Sequence, residues 1–290
     1  MGADYFFRMG STHAICQDYA LAGELDGRSY ALLADGCSGV ATPGQPGSPY
    51  TDFGARFLVR ATQRRLENLA LGDFPIMAIV EEAARAADVL KFSSTALDAT
   101  LLAAVSTPEG DVRTFQMGDG VIAWRKRDGT VGYRTLEFGN GMPFYPSYVR
   151  DGDRLAVYLH PDDPAKAEDA GFVTFRENVY VPGHGWTGVT TRRETVFAAS
   201  GPITGVWTLG LSRATTDVVL LLSDGVETFQ TKTASLIPLE EVLLQLFDFK
   251  GFVGQFLVRR CTRFMQKFCA ESGWHHADDF SAAGIYLGDP

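Results

Sequence analysis

The chain has 290 residues, 46% of them hydrophobic and 21% charged, with a formal net charge of −9 and a pI near 5.1. That length buries a substantial core, and one domain over residues 1–290 is the expectation. An acidic chain without a long Lys/Arg cluster excludes nucleic acid as a partner, because a phosphate backbone demands a basic surface. No apolar run approaches the ~20 residues that span a bilayer, and the N-terminus lacks the basic start and apolar stretch of a signal peptide. No membrane partner is expected. The four cysteines, Cys16, Cys37, Cys261 and Cys269, show no C-x-x-C spacing and read as reduced thiols of a cytoplasmic protein.

In chain order, "DYALAGEL" and "RSYALLAD" flank Asp26-Gly27 and predict a hairpin over 17–35. A Gly/Pro-rich loop follows, without the G-K-[ST] ending of a phosphate-cradling loop. The spacing then predicts a helix from about Asp52, with Phe53, Phe57, Leu58, Leu66 and Leu69 on one face, and a second helix over roughly 75–90 opened by Pro75. Strands resume at 98–105 and 112–118, and "GVIAWRKR" turns through Asp128-Gly129 into "TVGYRTL", together a β-meander. Residues 139–210 are rich in Gly and Pro and carry no clear period. "VVLLLSDG" (218–225), two C-terminal helices and a closing strand at 280–287 complete the chain. Strands and helices come in blocks. That order favours antiparallel sheets with helices layered outside over a doubly wound parallel sheet.

Asp-Gly pairs occur at 26, 35, 119, 128, 151 and 224. Those at 26, 128 and 151 read as turns, since polar residues surround them and a second strand follows. Asp35 and Asp224 differ, because each ends a run too apolar for an exposed edge. A carboxylate at the end of a buried strand is costly unless it is paired or bound to a cation. Asp119, in "TFQMGDGVIAW", lies between two apolar strands, where a bulge is the bland explanation. Asp18 begins the first predicted strand and Asp278-Asp279 precede the last. Carboxylates gathered at strand ends suit hard cations such as Mg²⁺ or Mn²⁺, although Asp is also a common turn residue.

The ordered set "CQDYAL … LLADGCSG … DATLLAAV … QMGDGVIAW … LLLSDGVETF … ADDFSAAGIYL" resembles the metal-dependent protein phosphatases of the 2C type, in their bacterial form, and spans residues 13–287. The resemblance implies an α+β fold: a four-layer α-β-β-α sandwich of two antiparallel sheets flanked by helices, with a variable flap around 139–210. It implies hydrolysis of phosphoserine and phosphothreonine on proteins by a water activated by two Mg²⁺ or Mn²⁺ ions, with a third, weaker ion in some members. A phosphorylated protein, the product of a cognate serine/threonine kinase, would be the substrate. Asp35 would bridge the two metals and the Gly36 carbonyl would bind one. Asp224 and Asp278 would hold the first, Asp18 would lie beside the second, and Asp119 would bind the third. Asp18, Asp35, Asp224 and Asp278 are thus the catalytic set.

Three departures stand out. Gln17 replaces a usual glutamate, His13 occupies the place of a phosphate-contacting arginine, and Cys37 stands where some members carry a histidine proposed as general acid. Gln17 and His13 keep open a second reading, a catalytically weak phosphatase-like regulatory or phosphopeptide-binding module, while Cys37 speaks to the subfamily rather than to activity. Another two-metal hydrolase, such as a nuclease, is disfavoured by the acidic surface. His275-His276 have no ligand partners at zinc spacing. His160, His184, Arg192 and Arg193 read as surface residues. Phe144, Tyr145 and Tyr148 read as loop packing or as a lid over substrate.

Overall fold

The computed structural model of the chain describes residues 1–37, 50–161, 163, 166, 168–188, 190–195 and 205–288. Most of the Gly/Pro-rich loop (38–49) and residues 196–204 lie outside that set. The first elements are β1 (Gly2–Arg8), β2 (Tyr19–Leu25), β3 (Arg28–Ala34), α1 (Thr51–Gln63), α2 (Leu66–Leu71) and α3 (Ile76–Val89). Then come β4 (Leu101–Ser106), β5 (Val112–Met117), β6 (Val121–Lys126), β7 (Val131–Phe138), α4 (Gly152–Leu159), β8 (Phe172–Val181), β9 (Gly185–Trp186) and β10 (Thr190–Thr195). The chain ends with β11 (Trp207–Leu211), β12 (Thr216–Leu222), β13 (Phe229–Thr231), α5 (Leu239–Leu246), α6 (Phe256–Arg263), β14 (Trp274–His276) and β15 (Phe280–Tyr286).

Two antiparallel sheets dominate, one in the order β1-β15-β12-β6-β7-β8-β10 and the other β11-β5-β4-β3-β2. Their side-chain alternation builds three cores. In β3, Leu32 and Ala34 face α1 and α3, whereas Ala31 and Leu33 face the opposite sheet. In β12, Val218, Leu220 and Leu222 face α5 and α6, whereas Val219 and Leu221 point inward between the sheets. A strand covered on both faces needs no polar alternation, which is why "VVLLL" and "YALLA" are continuously apolar. The result is the expected four-layer α-β-β-α sandwich.

Several local readings change. The first predicted helix breaks at Arg64-Arg65 into α1 and α2, and its buried face carries Ala55, Leu58 and Val59 while Phe53 is exposed. Phe53 instead joins Tyr50 and Phe92 in an aromatic cluster. Asp151 is a helix N-cap rather than a hairpin turn, its carboxylate accepting the Arg154 N–H at 3.1 Å. The run 112–137 is not one meander, since β5 belongs to one sheet and β6 to the other. His275 and His276 lie on the short strand β14, paired with β13. Among the 139–210 residues, β8 and β10 pair to extend the larger sheet. After α6 the helix continues through a π segment, Phe264–Cys269, and both cysteines there are buried.

The sequence reading also has no counterpart to β1, which pairs along its whole length with β15. Its Asp4, 8% exposed, accepts the backbone N–H groups of Leu257 at 2.7 Å and Val258 at 3.0 Å. A carboxylate from a distant strand thereby caps the first turn of α6 and complements the positive end of its dipole. We expect Asp4→Ala to lower unfolding free energy by about 1–3 kcal/mol in urea denaturation, with Asp4→Asn losing less.

Candidate metal centre

Each sheet delivers carboxylates to the same end of the molecule. β3 ends at Asp35, whose N–H donates to Thr100 Oγ1 at 3.1 Å and whose carbonyl accepts from Thr100 N at 2.8 Å. Gly36 and Ala99 form an isolated bridge, and Cys37 N–H donates to the Asp98 carbonyl at 2.8 Å. The Asp35 loop is therefore strapped to the strand beside it. At Gly36 a side chain has no room, since a Cβ there would meet the Thr51 and Gln17 carbonyl oxygens at 2.8 and 2.9 Å.

Asp119 sits on the crossover from β5 to β6, where the chain changes sheet rather than bulging. Gly118 and Gly120 on either side have φ of +86° and +101°, a conformation that side chains rarely adopt. β12 ends at Ser223, and the next four residues, Asp224–Glu227, make one 3₁₀ turn. The Ser223 hydroxyl accepts the Ser281 N–H at 2.9 Å and donates to the Asp279 carbonyl at 3.2 Å, tying β12 to the start of β15. Gly225 lies so close to that strand that a Cβ would meet the Asp279 carbonyl oxygen at 1.8 Å. No hairpin forms at this Asp-Gly. The glycine serves a close backbone approach.

Asp35, Gly36, Asp119, Asp224 and Asp278 line one cleft of about 190 Å³, with Cys37, Thr100, Pro143 and Tyr145. No Lys or Arg is among these lining residues. Asp18, close enough for its charge to act on Asp35, is 1% exposed, with both carboxylate oxygens buried and without a hydrogen-bond partner. Burial pushes the carboxyls of Asp18 and Asp119 up to about 7, and like charges add to it, from Asp279 on Asp18 and from Asp224 on Asp119. Burial, then the charges of Asp18 and Asp224, hold Asp35 well above the ordinary carboxylate range, and burial raises Asp224 as well. The donor set is all hard oxygen, and the unpartnered Asp18 oxygens need a cation or a proton. It fits divalent ions of the Mg²⁺ and Mn²⁺ type.

His13 is placed against the paired aspartates, with Nε2 3.3 Å from Asp278 and Nδ1 3.0 Å from Asp279. The three residues' ligand atoms lie within 4.8 Å of one another. Asp279, 1% exposed, also accepts Gly10 N–H at 2.7 Å and Gln17 N–H at 2.6 Å. It is a structural acceptor that holds the 10–17 segment over β15. The Gln17 side chain donates to Thr51 Oγ1 at 2.9 Å.

The sequence gives no place in the site to Thr100 or Pro143, and offers Tyr145 only as loop packing or as part of a lid. Thr100 carries a signal, being the first polar residue before an apolar strand, whereas Pro143 and Tyr145 come from a stretch without period. Of the aromatics there, Phe144 and Tyr148 are buried in the helix-side core, and Tyr145 alone lines the cleft. His160, His184, Arg192 and Arg193 are exposed, as expected.

Residues 10–137 match the family model described as Protein phosphatase 2C. No curated protein gives a sequence match. Among solved structures, the S. agalactiae serine/threonine phosphatase aligns over 98% of this chain and 98% of its own, at 13% identity and TM-score 0.52. The serine/threonine phosphatase Stp1 from Staphylococcus aureus aligns over 99% of this chain and 95% of its own, at 13% identity and TM-score 0.51. At such identity these likenesses speak for the fold. The family match over residues 10–137 and the shared fold make the chain similar to the protein phosphatases of the 2C type.

Carboxyls that are harder to ionise in the folded state than in the unfolded chain make stability depend on pH. The folded state binds the extra protons between about 3.8 and about 7, so stability is fully present below that window and is lost as pH rises through it. In chelator, Asp119→Asn is expected to raise Tm at pH 8 by about 2–4 °C per kcal/mol of repulsion relieved, and to change little near pH 3.5. Thermal unfolding at both pH values, with and without Mn²⁺, checks this. The divalent ion should erase the advantage of the variant.

Proposed function

We propose that this protein hydrolyses phosphoserine and phosphothreonine on other proteins, using two divalent ions, Mg²⁺ or Mn²⁺, held in the acidic cleft. The observation that carries the reading is the convergence of Asp35, Asp119, Asp224 and Asp278 on one cleft whose lining holds no Lys or Arg, with the unpartnered Asp18 close by. Asp35 would be shared by the two ions, and the Gly36 carbonyl would hold one of them. Asp224 and Asp278 would hold the first ion, Asp18 would support the second, and Asp119 would serve a third, weaker one. When bound, such ions supply a water of lowered pKa and neutralise phosphoryl oxygens.

The chain's own contribution is placement. Without cations the carboxylates would repel a phosphate dianion, so substrate affinity is conditional on the charges they hold. The Thr100 contacts keep Asp35 in register. His13, with both nitrogens on Asp278 and Asp279, supports a role in orienting Asp278, from which a phosphate contact would have to detach it. Tyr145 and Pro143 bring the 139–210 flap to the cleft wall, where a phosphopeptide would pass. The substrate class would be that of the phosphatases that share the fold.

Purified protein is expected to hydrolyse a phosphothreonine peptide only with Mn²⁺ or Mg²⁺. Asp35→Asn and Asp224→Asn should each lower kcat/KM by at least on the order of a hundredfold, since each removes part of a metal site worth several kcal/mol. Activity unchanged in both variants would sink the reading. The Gln17 amide, committed to Thr51, supplies no charge to the second ion and favours the weaker reading of a phosphopeptide-binding module. Calorimetry separates the two: stoichiometric uptake of two ions supports the enzyme, and peptide binding without it supports the module.

A further inference from the structure

On the outer face of the larger sheet, between the turn after α5 and the first turns of α6, lies a second cleft that shares no residue with the acidic one. Lys250, Arg259, Arg260 and Arg263 line it over Phe249 and Phe256. Four cations meeting in a chain of net charge −9 are notable first because they are poorly neutralised. Asp248 serves two of them, Lys250 at 2.7 Å and Arg260 at 3.5 Å.

Arg260 makes this more than a solvated basic face. Its side chain is 5% exposed; Nη1 donates to the Asp248 carbonyl at 3.1 Å, while Nε is buried without a hydrogen-bond partner. Burial pulls its guanidinium below the ordinary arginine pKa, and the Arg263 charge pushes the same way. A buried guanidinium with an incomplete counter-charge is costly, and an oxyanion at the mouth of the cleft would offset that charge. The planar fork of arginine suits a tetrahedral anion better than a point charge does. Around it, Lys250, Arg259 and Arg263 are exposed at the rim, Lys250 paired with Asp248 and Arg259 donating to the Gly251 carbonyl at 3.5 Å, each able to turn to a ligand there.

We propose that this cleft binds a phosphate-sized oxyanion, anchored by Arg260 and enclosed by Lys250, Arg259 and Arg263. The enclosed space is about 20 Å³, so the anion sits at the mouth with part of its surface in water. Free phosphate and a phosphoryl group on a peptide side chain share this chemistry. The site stands independently of the reaction assigned to the acidic cleft.

The test is a calorimetric titration of inorganic phosphate into the full chain at fixed ionic strength, with chloride as reference. A chelator is present throughout, so that no divalent ion draws phosphate to the carboxylates. Saturable binding is expected for the wild type. Arg259→Glu and Arg263→Glu, both at exposed positions, should each weaken it about tenfold or more. Arg260→Lys, checked for folding by circular dichroism, should weaken it while keeping the charge. A phosphoserine peptide titrated in parallel assigns the source: tighter binding than phosphate marks a protein-borne group, weaker binding the free ion. A phosphate response equal to that of chloride, or glutamate variants that bind as the wild type does, overturns the proposal.

Discussion

Asp18, Asp35, Asp119, Asp224 and Asp278 bring like charges to one end of two packed sheets, and the surrounding backbone must hold them there against their mutual repulsion. Burial alone raises the free energy of each ionised carboxylate, and each neighbour raises it further. Among the described residues that line the cleft, no Lys or Arg offsets this. The scaffold therefore spends its local order on restraint. Thr100 grips the Asp35 backbone from both sides, Ser223 laces β12 to β15, and Asp279 gathers the 10–17 segment. A site built in this way carries uncompensated repulsion without charge partners, which bound divalent ions would relieve.

The same restraint explains where side chains are forbidden. Gly36 and Gly225 follow the two aspartates that end apolar strands, and at both positions a Cβ would collide with backbone carbonyl oxygens. The strand ends are thus close enough to bring carboxylates from different sheets together. Gly118 and Gly120 solve a different problem, turning the chain sharply from one sheet to the other while leaving Asp119 at the corner. An Asp-Gly spelling that usually marks a hairpin here marks close approach in two cases and a change of sheet in a third.

Much of this was legible in the sequence, and the reasons are local. "YALLA" and "VVLLL" declare strands covered on both faces, and an aspartate at the end of such a strand demands an explanation that a turn does not supply. The block order of strands and helices foretold the layers. What was illegible depends on partners distant in the chain. β1 reads as a strand only once β15 lies beside it, and Asp4 reads as a cap only once α6 has been brought to it. Phe53 has the spacing of a core residue, yet Tyr50 and Phe92 draw it to the surface cluster. The separation of β5 from β6 into different sheets leaves no trace in a pattern of alternation, because the Gly118-Asp119-Gly120 link between them reads equally well as a bulge. Pro143 and Tyr145 reach the cleft from a stretch whose path is set by packing of Phe144 and Tyr148 against the core.

A distinction among buried charges ties the two clefts together. Asp4 is buried and satisfied by two helix N–H groups. Asp98 is buried and satisfied by the Ser147 hydroxyl at 2.7 Å and the Arg154 guanidinium at 2.7 Å. Asp279 is buried and satisfied by the backbone of the 10–17 segment. In all three the chain supplies the partners, and the group's work is to hold elements together. Asp18 and Arg260 are equally buried, but each keeps polar atoms for which the chain supplies nothing. At an ionisable group beside a cleft, something from outside can complete the site; the neutral Thr107 Oγ1 and Gln116 Oε1 are buried and unpartnered too, at a smaller cost. By that reasoning the unsatisfied ionisable groups, rather than the charged ones in general, separate ligand sites from scaffold, and the two signs of charge name two kinds of ligand: cations at one end of the sandwich and an oxyanion on its outer helical face.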